Sequence, residues 1–437
     1  MRTAFILSLV VVSVASQGAQ AQNLDTTTFV VMGEGLAAGM ANYGLSSVMQ
    51  SKDFPLLVAT QMGTVLEQPL IQPPGIGDVV GYPGQEVIVQ RYPQGSVRQF
   101  YYPTDPTKAP IQTPPIFVTN VSVPGLTLND AVTMVPVAPV VQRANMKQTV
   151  FNMILGFPQL ILDNIPSWTQ LQYAEELFPT VAMVELGYYE ALTAAVAGDA
   201  SQMPDPAAFG KTYGTVVAGL RGLQSQVIVT TIPNPLDTAY FNSLLSAASI
   251  VQAAPSVLSV DLGISAQDYV TRNGLEQIVN DIAAYEATFP LHIASLPAGS
   301  TLSAATAAAL TNNVNALNAQ IVSVAKANGA VVYDLNAFLH KIKVAGASTG
   351  TGTVTGDYLG GFYSLDGVYP SATGHALIAN DILNFLNQTY HRTFPLVNVS
   401  AVAASDPATQ LKVPTGGGVF TPNLVGPRGI GNRNTHQ

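Results

Sequence analysis

Residues 29–44 read FVVMGEGLAAGMANYG, and this stretch decides how the rest of the chain is understood. Phe29 to Met32 is a short run of β-prone apolar residues, Gly33-Glu34-Gly35 is a tight turn, and Leu36 begins an Ala-rich segment with helical character. Strand, turn and helix in that order make the repeating unit of a parallel α/β sheet. The turn falls at the carboxyl end of the strand, where ligands bind in such sheets and where a helix N-terminus offers its free N–H groups.

Working outward, the same signal recurs. Val118 to Gly125 (VTNVSVPG) runs from a strand into a turn, and Thr180 to Gly187 (TVAMVELG) is nearly unbroken in its apolar character, as a buried parallel strand is. Val227 to Ile232 and Val331 to Leu335 are further short strands, and Ala372 to Tyr390 has helical spacing. Strands alternating with helices predict a parallel sheet with helices on both faces. Two additions to that sheet are expected. Glu86 to Tyr92 and Arg98 to Tyr102, separated by Gln94-Gly95-Ser96, predict an inserted hairpin near residue 95, and the Ala-, Ser-, Leu- and Asn-rich stretch from about 240 to 320 predicts a helical insertion or cap.

The 437 residues are 48% hydrophobic and only 10% charged, ample for a large core. A net charge of −9 argues against an extended basic surface for nucleic acid. The absence of cysteine excludes disulfides, thiolate metal sites and a cysteine nucleophile. Residues 1–21 carry Arg2, an apolar run and the small-x-small ending Ala19-Gln20-Ala21, the pattern of a secretory signal peptide cleaved after Ala21. The expected mature protein is therefore secreted or periplasmic, without a transmembrane helix. Its main domain is expected over residues 22–400, followed by a Gly-rich flexible tail over 401–437. The sequons at Asn120, Asn387 and Asn398 signify glycans only in a eukaryotic secretory pathway. His292, His340, His375, His391 and His436 lack ligand spacing, so no metal and no other cofactor is expected.

Four stretches, at Gly33-Glu34-Gly35-Leu36, Gly125, Gly187-Tyr188-Tyr189-Glu190 and Asp366-Gly367-Val368-Tyr369-Pro370, resemble, in order, the blocks of the SGNH or GDSL family of lipases and acylhydrolases. The resemblance spans roughly residues 29–400 and implies a flavodoxin-like parallel sheet. The family reaction is ester hydrolysis by a serine, a histidine and an aspartate, with an oxyanion hole built from backbone N–H groups and an asparagine. Carried over position by position, Gly35 stands at the serine, Gly125 at the second-block glycine, Tyr189 at the oxyanion asparagine, Asp366 at the aspartate and Tyr369 at the histidine. The scaffold glycines match and the reactive side chains do not. Removing a triad nucleophile or base costs on the order of 10⁶ in turnover, and a tyrosine with a pKa of about 10 is a poor base at neutral pH.

Two functional classes remain open at this point. One is a catalytically inactive protein that uses the former cleft to bind a ligand, whether ester, lipid or carbohydrate, with Tyr188, Tyr189 and Tyr369 either lining a groove or filling it. The other is a carboxylic-ester hydrolase working through Ser364, two residues before Asp366, or His375, six residues past Tyr369.

Overall fold

The computed structural model describes residues 24–410, apart from 43, 73–74, 78–85, 92–96, 102–116, 143–144, 161–164, 252, 262, 276, 279–295 and 297. The expected signal peptide, the loop joining the hairpin strands, and residues 411–437 of the expected tail lie outside the described residues.

The first strand, β1 (Phe29–Gly33), is buried at every position. It pairs in parallel with β2 (Val181–Glu185), from Phe29 opposite Val181 to Gly33 opposite Glu185. β2 pairs with β3 (Gln226–Thr230), and β3 with β4 (Val331–Tyr333), again in parallel. On the free side of β1 runs the 119–123 segment. The Val31 N–H donates to Thr119 O (2.9 Å), Val121 N–H to Val31 O (2.9 Å) and Val123 N–H to Gly33 O (3.1 Å). Counting that segment, the five lines of backbone stand in the order 2-1-3-4-5. In this arrangement the crevice for a ligand opens where the chain reverses, between the first and third lines. Gly33 and Glu185 face each other at that point.

Helices cover the sheet in two packed groups. In one, α3 (Pro206–Gly222) lies against α4 (Ala304–Asn328); in the other, α1 (Phe54–Met62) lies against α5 (Ala372–Tyr390). A fifth helix, α2 (Tyr188–Ala197), follows β2 directly. Each start has a local cause. Asp53, Asp205, Ser303 and Ser371 accept a backbone N–H of the first turn from the N-cap position, satisfying a donor that has no partner within the helix.

One expected insertion is present, and two expectations need adjusting. The hairpin strands are present as the antiparallel pair Glu86–Arg91 and Val97–Tyr101. Among its described residues the 240–320 stretch is not helical throughout. It contains a small antiparallel sheet of Phe241–Ser243, Tyr269–Thr271 and Thr301–Leu302, strands of two or three residues that are too short to give a periodic signal. The long helix α4 closing the stretch is the crossover from β3 to β4 and not a cap. Ordered structure also continues past 400: Asn398 caps a helix at Val399–Ser405, and the buried Asp406 carboxylate accepts the Thr373 N–H at 2.7 Å. Among the described residues no helix is long and apolar enough to cross a membrane.

Candidate functional site

β1 ends in Gly33, Glu34 and Gly35 at the reversal point of the sheet, and all three are buried. Glu34 is the N-cap of the short helical turn Gly35–Ala38, and its Oε1 accepts the Leu36 N–H at 2.8 Å. The Gly35 N–H also bonds this carboxylate. The Gly35 and Leu36 N–H groups of this turn are thus taken by the chain's own acid.

Tyr369 closes the site from above. A Cβ built on Gly35 would lie 2.5 Å from the Tyr369 hydroxyl and 2.8 Å from its Cζ, closer than real Cβ contacts come. The same hydroxyl donates to Glu34 Oε2 at 3.1 Å. Tyr188, also buried, sets its ring edge-on to that of Tyr369, with centroids 6.3 Å apart, and donates its hydroxyl to Val368 O at 3.4 Å. Of the two arrangements open to the aromatic residues, Tyr188 and Tyr369 adopt the filling one. Tyr189 is half-buried, with its ring at ordinary contact distance, 3.7 Å, from a Cβ built on Gly125. Gly125 itself turns at φ +77°, which favours glycine.

The turn containing Tyr369 is held by the residues singled out in the sequence. Asp366, buried, accepts the N–H groups of Val368 (2.7 Å) and Tyr369 (2.9 Å) and so shapes the turn. Ser364 is 4% exposed, and its hydroxyl accepts the Asn42 N–H at 2.9 Å; Asn42 Oδ1 in turn accepts the Leu365 N–H at 3.0 Å. His375 lies in the first turn of α5, fully buried, stacked on Phe54 and accepting the Phe54 N–H on Nδ1 at 3.2 Å. Burial drives its pKa down to about 3, so at neutral pH it is an uncharged packing group. Ser364 and His375 are occupied separately, by Asn42 and by Phe54, and the nucleophile–base contact required for an activated serine is not assembled between them.

Three carboxylates gather beneath the turn. Glu185 ends β2, and its Oε2 accepts the Glu34 N–H at 3.3 Å. Glu190, on α2, accepts the Leu128 N–H at 2.7 Å through Oε1, while its Oε2 is enclosed without a hydrogen-bond partner. Burial raises Glu34 and Glu190 each to about 7, and it raises Glu185 well above the usual range, with the Glu34 charge adding to the effect. Burial also raises the Tyr369 phenol, and the Glu34 charge raises it further. A phenol held that firmly protonated is a weak nucleophile, so the Glu34–Tyr369 pair has the geometry of a base beside a hydroxyl without its reactivity.

Glu185 and Asn42 carry structural roles that sequence reading did not assign. Glu185 was detectable in principle, as the one ionisable residue ending an otherwise apolar buried strand. Asn42 was not, because its partners lie 322 and 323 residues away. The sequon at Asn120 is sequestered: its side chain is buried and donates to Ala37 O at 2.9 Å. Among the described residues no group of three or more His, Cys, Asp or Glu side chains is placed to hold a metal ion. Away from the Gly35 turn, a shallow groove of about 330 Å³ runs between Leu236, Gln267, Tyr269 and the Ala304–Asn312 side of α4.

No protein-family model matches the chain, and no curated protein does. Among solved structures, an alpha/beta hydrolase enzyme from the metagenome of Lake Arreo, Spain, overlaps it with a TM-score of 0.35 at 12% identity, over 84% of this chain and 97% of that one. So loose a likeness assigns neither a fold family nor an activity.

Proposed function

We propose that this chain is an exported protein of SGNH or GDSL type whose hydrolytic chemistry is absent. The observation that carries this reading is the Tyr369 hydroxyl standing within 2.5 Å of a Cβ built on Gly35, so the space a nucleophilic side chain would use is already filled. The 2-1-3-4-5 order, with the Gly33–Gly35 turn at its reversal point, supports the family assignment. Ester hydrolysis of the family kind needs a serine, a base to deprotonate it and free oxyanion donors. Here the first position has no side chain, the second is a buried phenol, and the Gly35 N–H is bonded to Glu34.

The alternative, an ester hydrolase using Ser364 or His375, gains no support from their surroundings. A ligand entering the former cleft would have to displace Tyr369, so the binding variant of the proposal requires that ring to move. Treatment with a fluorophosphonate, which modifies activated serines, tests the proposal. The expected result is no adduct in the intact-mass spectrum of the folded protein. An adduct at one serine, lost on unfolding, would overturn it.

A further inference from the structure

The groove between Leu236, Gln267, Tyr269 and the start of α4 is walled by three segments that are bonded to one another. The segment leaving β3 is pinned to α4. Its Ile232 N–H donates to Asn318 Oδ1 (2.7 Å), Asn318 Nδ2 donates back to Ile232 O (2.9 Å), and Asn234 Nδ2 donates to Thr311 Oγ1 (3.1 Å). Asn234 Oδ1 in turn accepts the Leu236 N–H at 3.1 Å. On the other side, Asp268 ties the segment carrying Gln267 to the first residue of α4: it accepts the Ala304 N–H at 2.9 Å and the Ser265 N–H at 3.1 Å. Tyr269 pairs with Leu302, just ahead of that helix. Walls joined in this way stand in place before a ligand arrives, so little ordering is left for binding to do.

The lining has a definite chemistry. Leu236 and Ala307 are buried and give the groove an apolar base. Around them stand a phenol ring, two amides and a hydroxyl, from Tyr269, Gln267, Asn312 and Thr311. Much of their hydrogen-bonding capacity is unused. Gln267 accepts the Ser265 hydroxyl on Oε1 at 3.2 Å, while its Nε2, the Asn312 amide and the Tyr269 hydroxyl have no partner among the described residues. Thr311 accepts from Asn234 and keeps its own proton to donate.

No charged side chain lines the groove. An anion would meet no cation there, and the first N–H of α4 is already taken by Asp268. A cation would meet no uncommitted carboxylate, since Asp268 holds those N–H groups and Asp237, next to Leu236, holds His340 Nδ1 at 3.1 Å. An acyl chain would cover the amides and the phenol without pairing them, which is costly. An uncharged ring with C–H groups on its face and hydroxyls on its edge matches both halves of the lining.

We infer that this groove binds one or two units of a neutral saccharide, a ring packed on Tyr269 and its hydroxyls bonded to Gln267, Thr311 and Asn312. Its volume of about 330 Å³ lies at the low end of the roughly 300–1,000 Å³ of small-molecule sites, which suits a short stretch of sugar. The inference is independent of the Gly35 turn and of whether any chemistry takes place there.

Isothermal titration calorimetry of the purified protein with maltohexaose, cellohexaose, xylohexaose and chitohexaose tests it. At least one is expected to bind with a Kd below about 1 mM. Tyr269→Ala and Asn312→Ala should each weaken that binding by about tenfold or more. Phe178→Ala, which removes an aromatic ring exposed outside the groove, should leave it unchanged. If Tyr269→Ala does not fold, Asn312→Ala carries the test, because Asn312 is an exposed position within α4 where alanine favours the helix. Binding of none of the four sugars, or binding that both groove variants retain, would overturn the inference. So would octanoate binding that replaces sugar binding and is lost in the same variants, which would assign the groove to an acyl chain.

Discussion

The Tyr369 hydroxyl lies 3.1 Å from Glu34 Oε2, and the same oxygen lies 2.5 Å from where a Cβ on Gly35 would begin. One side chain therefore both fills the space above the glycine and satisfies the acid beside it. Gly35 and Tyr369 are a matched pair, and a change at either is felt at the other.

Gly35→Ser should destabilise the protein by overpacking, by about 1–3 kcal/mol, because the new Cβ meets Tyr369 and also Met40 Cγ at 3.1 Å. Tyr369→His in the same chain should return part of that loss, since a smaller ring withdraws from the contact. A double-mutant cycle by urea denaturation measures the coupling, and strict additivity would mean that the two side chains do not compete for the space.

The buried acids set a pH dependence with a definite sign. Glu34 and Glu190 each rise from an ordinary 4.5 to about 7, so between these values the folded protein binds more protons than the unfolded chain. Their contribution to stability is fully present below about 4.5 and is lost as the pH rises through about 7. Denaturation midpoints at a series of pH values should show this loss, and it should shrink in Glu34→Gln.

His375 acts in the opposite direction. Its pKa falls from an ordinary 6.5 to about 3 on burial, so its contribution is intact above 6.5 and is lost as the pH falls towards 3. His375→Gln should weaken the fold at pH 7, because the Phe54 N–H loses its ring acceptor, yet flatten the acid limb of the stability curve. The same denaturation series resolves the two effects.

Asn42→Ala should cost about 1–3 kcal/mol by leaving the Leu365 N–H without its acceptor, and somewhat more because Asn42 sits at φ 54°, where alanine is strained. Asn42→Gly should relieve the backbone part only. Thermal melts of the two variants separate the terms.

Much of the fold was legible in the chain because its signals are local. The turn at Gly33–Gly35, the apolar run at Val181–Glu185 and the helical spacing of Ala372–Tyr390 are each written in neighbouring residues. The small sheet of Phe241–Ser243, Tyr269–Thr271 and Thr301–Leu302 was not, since pairing between such short strands is decided by distant partners. At the site, Gly35 and Tyr369 could be singled out from sequence, and so could the possibility that tyrosines fill the space above the glycine. That Glu34 would occupy the Gly35 and Leu36 N–H groups, and that Glu185 would stand across from Gly33, depends on burial and on register, which no short motif encodes.

The most direct test is turnover of p-nitrophenyl acetate and butyrate by the purified protein, beside the Gly35→Ser, Tyr369→His double variant. The expected wild-type rate equals that of buffer, with weak activity appearing only in the variant. Wild-type turnover that survives purification and disappears in Ser364→Ala would contradict it.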